Sequence, residues 1–191
     1  MTEPAYTRLP VNERRLQLLK LGAELFARHS FGELSMSRIA GEAGISKALL
    51  YHYFPGKQAY FTATLEQKAA ELAGLIAPDP ALAPAEQLAR SLDAFLGWVE
   101  EHGDAYSKLV RGAGAVPEVR EVMEAVREAT ASTILDGLPG RRTPQRRAAV
   151  RAWLWFMDGA ILDWLEHRDL ARAELQALLL RALEGALGER L

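Results

Sequence analysis

The side chains best suited to a specific chemical task lie between residues 35 and 57 of the 191-residue chain. Ser46 precedes a short helical pattern, and the free N–H groups at the start of a helix favour phosphate. Ala48 is small enough to let the backbone approach a DNA groove and contact a thymine methyl. Four further side chains can donate to phosphate or to bases: Lys47, Tyr51, Tyr53 and Lys57. This combination predicts a surface that binds double-stranded DNA.

A helix-turn-helix over residues 35–54 is the arrangement that would position these side chains. Ser35 and Ser46 are suitable N-caps for two short helices, and Gly44 between them supplies a tight turn. The small side chain of Ala40 lets the two helices cross closely. We expect a buried cluster below the turn, formed by Ile39, Ile45 and Leu50.

This stretch resembles the DNA-binding domain of the tetracycline-repressor (TetR) family. The matching pattern is I-A-x-x-A-G-I-S-K-x-x-L-Y-x-Y-F-x-x-K, preceded by LGAELFARHSF, and the resemblance covers about residues 14–65. It implies an all-helical homodimer. Three N-terminal helices would bind DNA, a fourth would act as a link, and helices five to nine would form a ligand-binding and dimerising body.

The resemblance also implies individual DNA contacts. The third helix would run over residues 46–53, and its DNA-facing residues would be Lys47, Ala48, Tyr51 and Tyr53, with Ser46 at its start. Ser35 and Ser37 would face the DNA backbone, and Lys57 would anchor the fourth helix to phosphate. Lys47 is the one long base-reading side chain in this helix, because residues 46–54 contain no Arg, Asn or Gln. We therefore expect specificity to depend on DNA shape and methyl contacts.

Several neighbouring residues have a plainer interpretation. Tyr51 could be a packing residue, and Phe54 is expected in the core. His52 is expected on the surface, away from the DNA. Arg38 could form a surface ion pair or contact the DNA backbone.

The distribution of charge agrees with this division of the chain. The whole chain has a net charge of −2, but residues 12–57 carry seven basic and four acidic side chains. Residues 58–191 carry 15 basic and 20 acidic side chains. A basic N-terminal part attached to an acidic body suits a phosphate-facing domain.

Other classes of protein find little support in the sequence. The chain contains no cysteine, no run of about 18 apolar residues and no apolar segment in its N-terminal MTEPAYTRLPVNERR, so we expect a cytoplasmic protein without a membrane span. Its four histidines lie far apart, and it has neither a Gly-rich phosphate loop nor a G-x-S-x-G motif. We therefore expect no enzymatic activity, no bound metal and no cofactor.

The composition predicts an all-α fold of about nine helices, since Ala, Leu, Glu and Arg dominate and no strand-like alternation occurs. The predicted boundaries are a disordered arm at 1–11, the helix-turn-helix domain at 12–56, a linking helix at 57–76 and a ligand-binding and dimerisation domain at 84–191. Pro78 and Pro80 mark the linker before this last domain. Separate helices are expected at 84–102 and from there to about 112.

The body contains aromatic residues that suit either a ligand pocket or a plain core. The pocket candidates are Phe95, Trp98, Tyr106, Arg111, Trp153, Phe156 and Asp158. Asp158 lies among apolar residues, where a carboxylate is costly unless it is paired. It could pair with Arg111 or Arg151, bind a polar ligand, or lie at a dimer interface. Arg111 and Asp158 together in a pocket would favour a ligand with both apolar and polar groups.

The last two helices have apolar residues on more than one face, which predicts a two-fold four-helix interface between two copies. A dimer would present two reading helices to a palindromic operator. We therefore predict a repressor that a small-molecule effector releases from DNA. Two alternatives are a DNA-binding protein of the same fold without an effector, associated with the nucleoid or with cell division, and a helical dimerisation adaptor.

Overall fold

The computed structural model describes residues 11–77, 79, 81–112 and 117–189. In this part of the chain it contains eight α-helices, one 3-10 turn and no strand. The helices are α1 (Val11–Arg28), α2 (Met36–Glu42), α3 (Lys47–Tyr53), α4 (Lys57–Leu75), α5 (Pro84–Gly112), α6 (Pro117–Gly137), α7 (Pro144–His167) and α8 (Arg172–Leu187), with the 3-10 turn at Phe31–Glu33. The prediction of an all-α fold is confirmed.

The count of eight helices differs by one from the predicted nine because α5 is continuous through residue 102. His102 has non-helical backbone angles (φ −123°, ψ 24°), so the helix is interrupted where the sequence predicted a boundary, but the two helical segments meet at a kink and are counted as one bent helix. Apart from Val11, which begins α1, the predicted disordered arm lies outside the described residues, as do Pro78, Pro80 and residues 113–116.

The chain divides into two compact units, Met1–Lys68 and Ala69–Leu191. The N-terminal unit packs its helices around one apolar core, formed by Leu18, Leu19, Leu25, Leu34, Met36, Ile39, Ala40, Leu50, Phe54 and Tyr60. Ile45 and Tyr53 are partly buried against this core. The core therefore takes one face of each short helix and leaves the opposite face exposed.

The turn between α2 and α3 depends on Gly44. This residue has a positive φ of 62°, which a side chain would make costly. The N–H of Gly44 donates to the carbonyl of Gly41, and the N–H of Ile45 donates to that of Ala40. This pair of hydrogen bonds is a Schellman motif, so α2 ends where the sequence places its glycine.

A close approach of α1 and α4 depends on Gly22. A Cβ atom at this position would lie 2.5 Å from Thr64 Oγ1 and 2.8 Å from Tyr60 Oη. The Tyr60 hydroxyl donates to the carbonyl of Leu18, and Thr64 Oγ1 donates to that of Tyr60. Burial raises the pKa of Tyr60 above its ordinary value. The hydroxyl therefore stays neutral and keeps donating, which fixes the two helices at short distance.

The C-terminal unit is a bundle in which α7 is the most buried helix. Seven residues of α7 are buried: Val150, Trp153, Leu154, Met157, Asp158, Ile161 and Trp164. Helix α7 packs against α6 and α8, and α5 packs against α8. The indole N–H of Trp153 donates to the carbonyl of Leu179 at 2.8 Å, which ties α7 to α8. None of the helices that the structure describes is long and apolar enough to cross a membrane.

Substituting Gly22 by Ala should destabilise the N-terminal unit, because the new methyl group would overlap Thr64 Oγ1 and Tyr60 Oη where α1 and α4 approach closely. We expect a loss of about 1–3 kcal/mol in the free energy of unfolding, measured by urea denaturation. Gly41→Ala is the matched control, since Gly41 lies in α2 with no atom near its missing Cβ. It should be neutral or slightly stabilising. Equal effects of the two substitutions would contradict the contact.

Candidate nucleic-acid interface and the polar core of the body

Helix α3 presents its polar and small residues to solvent. Ser46 caps the helix, and its side chain accepts a hydrogen bond from the N–H of Leu49 at 3.1 Å. Leu50 is fully buried below, whereas Lys47, Ala48 and Tyr51 are exposed. The three residues therefore share one outward face at the start of the helix.

Lys47 and Tyr51 are neighbours on this face, one helical turn apart. The Lys47 ammonium lies 5.8 Å from the centre of the Tyr51 ring, within the range of a cation–π contact. Tyr51 is 44% exposed, so its hydroxyl reaches solvent. The pair presents a positive charge and a hydroxyl donor side by side.

Tyr53 lies differently from Tyr51. It is partly buried against the apolar core, and its ring meets the edge of the exposed His52 at 5.5 Å. The next residue, Phe54, is buried as the sequence predicted. Tyr53, the last residue of α3, therefore helps to pack this helix against the core.

Two serines at the start of α2 are exposed. Ser35 caps the helix and accepts from the N–H of Arg38 at 3.2 Å, while Ser37 lies in the first turn. The guanidinium of Arg38 lies 3.0 Å from the His29 ring nitrogen Nε2, so Arg38 contacts the end of α1. Neither of the two interpretations given to Arg38 anticipated this contact.

Lys57 has a structural contact that the sequence did not reveal. Its ammonium donates to the carbonyl of Phe31 at 2.8 Å and lies 4.1 Å from the centre of the Phe31 ring. It thus ties the start of α4 to the 3-10 turn. An ammonium has three donors, so this contact leaves two of them.

In the body, Asp158 is buried and both of its carboxylate oxygens accept hydrogen bonds. Its Oδ1 accepts from the Tyr106 hydroxyl at 2.6 Å, and its Oδ2 accepts from Arg127 at 2.7 Å and 3.2 Å. Arg127 is itself buried and also donates to Glu124 at 3.0 Å. These contacts join α5, α6 and α7 through one buried polar group.

Arg127 was not among the residues singled out in the sequence. The two arginines considered as partners of Asp158 lie elsewhere: Arg111 pairs with Glu166 on the surface, and Arg151 pairs with Glu124 and Glu128. The charge of Asp158 was a usable signal. The sequence did not show which basic residue pairs with Asp158, because this depends on which face α6 turns to α7.

The pKa of the Tyr106 hydroxyl is raised well above its ordinary value. Burial is the main cause, followed by the negative charge of Asp158 and the hydrogen bond to it, while the charge of Arg127 acts in the opposite direction. Tyr106 is therefore a hydrogen-bond donor at all physiological pH values.

Three aromatic candidates pack together beside this polar group. Phe95 stacks on Trp98 at 6.4 Å and meets Tyr106 edge-on at 5.9 Å, and Trp98 stacks on His102 at 4.8 Å. The structure thus brings together Phe95, Trp98, Tyr106 and Asp158. Of the other candidates, Trp153 lies in the core, whereas Arg111 and Phe156 are exposed. Among the described residues, no group of three or more His, Asp or Glu could hold a metal ion.

A capped helix-turn-helix with an exposed polar face, attached to a helical body, is the architecture of a DNA-binding regulator. Two family models match the chain: "Bacterial regulatory proteins, tetR family" over residues 18–64 and "Tetracyclin repressor-like, C-terminal domain" over residues 84–184. The second covers more than half of the chain. The chain therefore belongs to the TetR family of transcriptional regulators.

The chain resembles individual members of this family. A TetR-family regulator from Streptomyces coelicolor is 33% identical, with a TM-score of 0.78 over 94% of this chain and 82% of that one. The activator FasR of Mycolicibacterium smegmatis is 27% identical over 68% of this chain and 60% of its own length. The repressor SCO4008 of Streptomyces coelicolor is 32% identical over 45% of this chain and 40% of its own. The chain thus spans about two to three fifths of these curated relatives.

Asp158→Ala should strongly destabilise the body, because it leaves the buried guanidinium of Arg127 without its closest counter-charge. We expect a loss of about 3–5 kcal/mol in the free energy of unfolding. Arg111→Ala breaks an exposed ion pair and should cost about 0–1 kcal/mol. Thermal and chemical denaturation of both variants would check this, and similar small losses would contradict the importance of the buried pair.

Proposed function

We propose that this TetR-family regulator is a repressor that binds a palindromic operator as a homodimer and leaves it when a small molecule binds the body. The exposed face of α3, with Lys47, Ala48 and Tyr51 around a buried Leu50, is the observation that carries the proposal. Relatives of the chain include one named activator and one named repressor. A reporter gene placed behind the operator would rise on deletion of a repressor and fall on deletion of an activator.

On this proposal the candidate residues of the helix-turn-helix have separate roles at the DNA. Lys47 reads a base edge and Ala48 contacts a thymine methyl in the major groove. The hydroxyls of the tyrosines and serines contact phosphate oxygens and set the position of the helix. These residues are Ser35, Ser37, Ser46, Tyr51 and Tyr53. The two remaining donors of Lys57 reach phosphate from the start of α4.

Selection on random DNA would yield an operator, and substitutions would then test the reading face. Lys47→Ala should weaken binding by about 1–3 kcal/mol and relax the preference at one base pair of each half-site. Tyr51→Phe removes one hydroxyl and should weaken binding by about 0.5–1.5 kcal/mol on all sequences alike. Fluorescence anisotropy on operators of different sequence, at several salt concentrations, would measure both the affinity and the base preference.

Lys108→Ala is the control for this experiment, because it removes an exposed lysine from the C-terminal unit. It should leave operator affinity within about twofold of the original protein. A result in which all three substitutions behave alike would remove the case for α3 as the reading helix.

The homodimer is proposed to form through α7 and α8. Helix α7 exposes a stripe of mostly small residues that includes Trp155, which is 54% exposed, and the neighbouring Phe156 is 45% exposed. The stripe consists of Ala148, Ala152, Trp155 and Gly159. On α8, Leu178 is also exposed. Small residues let two helices approach closely, and exposed aromatic residues gain most from burial between two copies.

Ala152→Glu should convert the dimer to a monomer, because it places a carboxylate where two symmetric copies of α7 meet. The expected result in sedimentation velocity is a single species of monomer mass at micromolar concentration, with an unchanged helical circular dichroism spectrum. Ala125→Glu is the control, an exposed alanine on α6 that receives the same charge. Dimers that survive Ala152→Glu would place the interface elsewhere.

The effector is proposed to bind beside the buried polar group of the body, against Phe95 and Trp98, with Tyr106 and Asp158 at its polar end. These residues are the candidates that the structure brings together. They suit a ligand that carries an aromatic or apolar part and one hydrogen-bonding group.

A panel of such molecules, tested for release of the labelled operator, would identify the ligand. Tyr106→Phe should weaken its effect about tenfold, because the hydroxyl that orders the polar end is lost. Arg111→Ala, a substitution of an exposed residue, should leave the ligand's effect on operator release unchanged. If no member of a broad panel releases the operator, the alternative without an effector is favoured.

A further inference from the structure

Arg127 is in contact with both the buried interior and the exposed surface of the body. Its guanidinium donates to the buried Asp158, and the guanidinium Cζ also lies over the ring of Trp155, 3.8 Å from the ring centre. Arg127 is 6% exposed, whereas Trp155 is 54% exposed. One buried side chain therefore supports a large exposed ring.

The contact restricts the orientation of Trp155. The guanidinium is fixed by two hydrogen bonds to Asp158 and by a third to Glu124. A planar cation that cannot rotate offers one surface on which an indole ring can stack. An exposed tryptophan without this support would sample several side-chain rotamers, and each would present a different shape to a partner.

We propose that Arg127 is a positioning residue for self-association, holding Trp155 in the orientation in which it packs against a second copy of the chain. The inference rests on the proposed homodimer through α7 and α8. It adds that the buried pair of Arg127 and Asp158 sets the strength of that dimer. Ordering a side chain before association removes an entropic cost from binding, and in a symmetric dimer the saving occurs twice.

Arg127→Lys separates the two contacts of this residue. A lysine keeps the positive charge beside Asp158 but lacks the flat group on which Trp155 stacks. We expect the dimer dissociation constant, measured by sedimentation equilibrium, to rise about tenfold. Arg151→Lys is the matched control, because Arg151 pairs with Glu124 and Glu128 close by. Its dissociation constant should change less than about twofold.

A double-substitution cycle tests whether the effect passes through Trp155. Trp155→Leu alone should weaken the dimer, and adding Arg127→Lys to it should weaken it no further. The signal of 5-fluorotryptophan at position 155, assigned from its loss in Trp155→Phe, gives a second readout. In ¹⁹F spectra this signal should shift towards the solvent-exposed position in Arg127→Lys and stay in place in Arg151→Lys.

The outcomes separate this inference from the proposed function. If the unmodified protein is monomeric, or if Trp155→Leu leaves the dimer intact, the interface through α7 fails and the inference fails with it. If Trp155→Leu weakens the dimer but Arg127→Lys behaves like Arg151→Lys, the interface stands and the positioning role is overturned. If the effects of Arg127→Lys and Trp155→Leu on the dimer dissociation constant are additive, the positioning role is overturned as well.

Should Arg127→Lys fail to fold, two substitutions of the exposed partner address the same point. Trp155→Tyr keeps a ring that can stack on Arg127, whereas Trp155→Met keeps an apolar side chain that cannot stack in this way. The inference expects the Tyr variant to dimerise about fivefold more tightly than the Met variant. Equal dissociation constants would overturn it.

Discussion

A single buried carboxylate constrains how the helices of the body pack. Asp158 lies in the most buried helix, and an ionised group there is tolerated only if its oxygens are satisfied. Tyr106 from α5 and Arg127 from α6 supply the donors. Sliding α6 by one turn along α7 would separate Arg127 from Asp158 and leave the buried carboxylate without its counter-charge. The pair therefore fixes the register of the two helices more strictly than apolar packing alone would.

The N-terminal unit is specified by a different kind of contact. Its core is almost entirely apolar, and the exposed face of α3 takes no part in it. Lys47 and Ala48 can therefore change without loss of core packing, while Leu50 and Phe54 maintain the fold. The exceptions are residues with two tasks: Tyr53 is partly buried, and Lys57 is bonded to Phe31, so changes there affect the fold as well as the surface.

The helix-turn-helix could be predicted in detail because its signals are local. The caps at Ser35 and Ser46 and the left-handed Gly44 each depend on residues within three or four positions. The pairing of Arg127 with Asp158 spans 31 positions and depends on how two helices cross. The interruption at His102 was predicted at the right residue, but its extent was not, because the non-helical angles produce a kink between two helical segments and no separating loop.

The close approach of α1 and α4 at Gly22 limits the order in which residues can be substituted there during evolution. The space that a methyl group would need is held by the oxygens of Tyr60 and Thr64, two residues on another helix. An alanine at position 22 fits without overlap only after both of these side chains have become shorter. Once it is present, it would in turn block the return of the tyrosine and the threonine. Position 22 and the pair of positions 60 and 64, about forty residues further along the chain, thus change together and in one order.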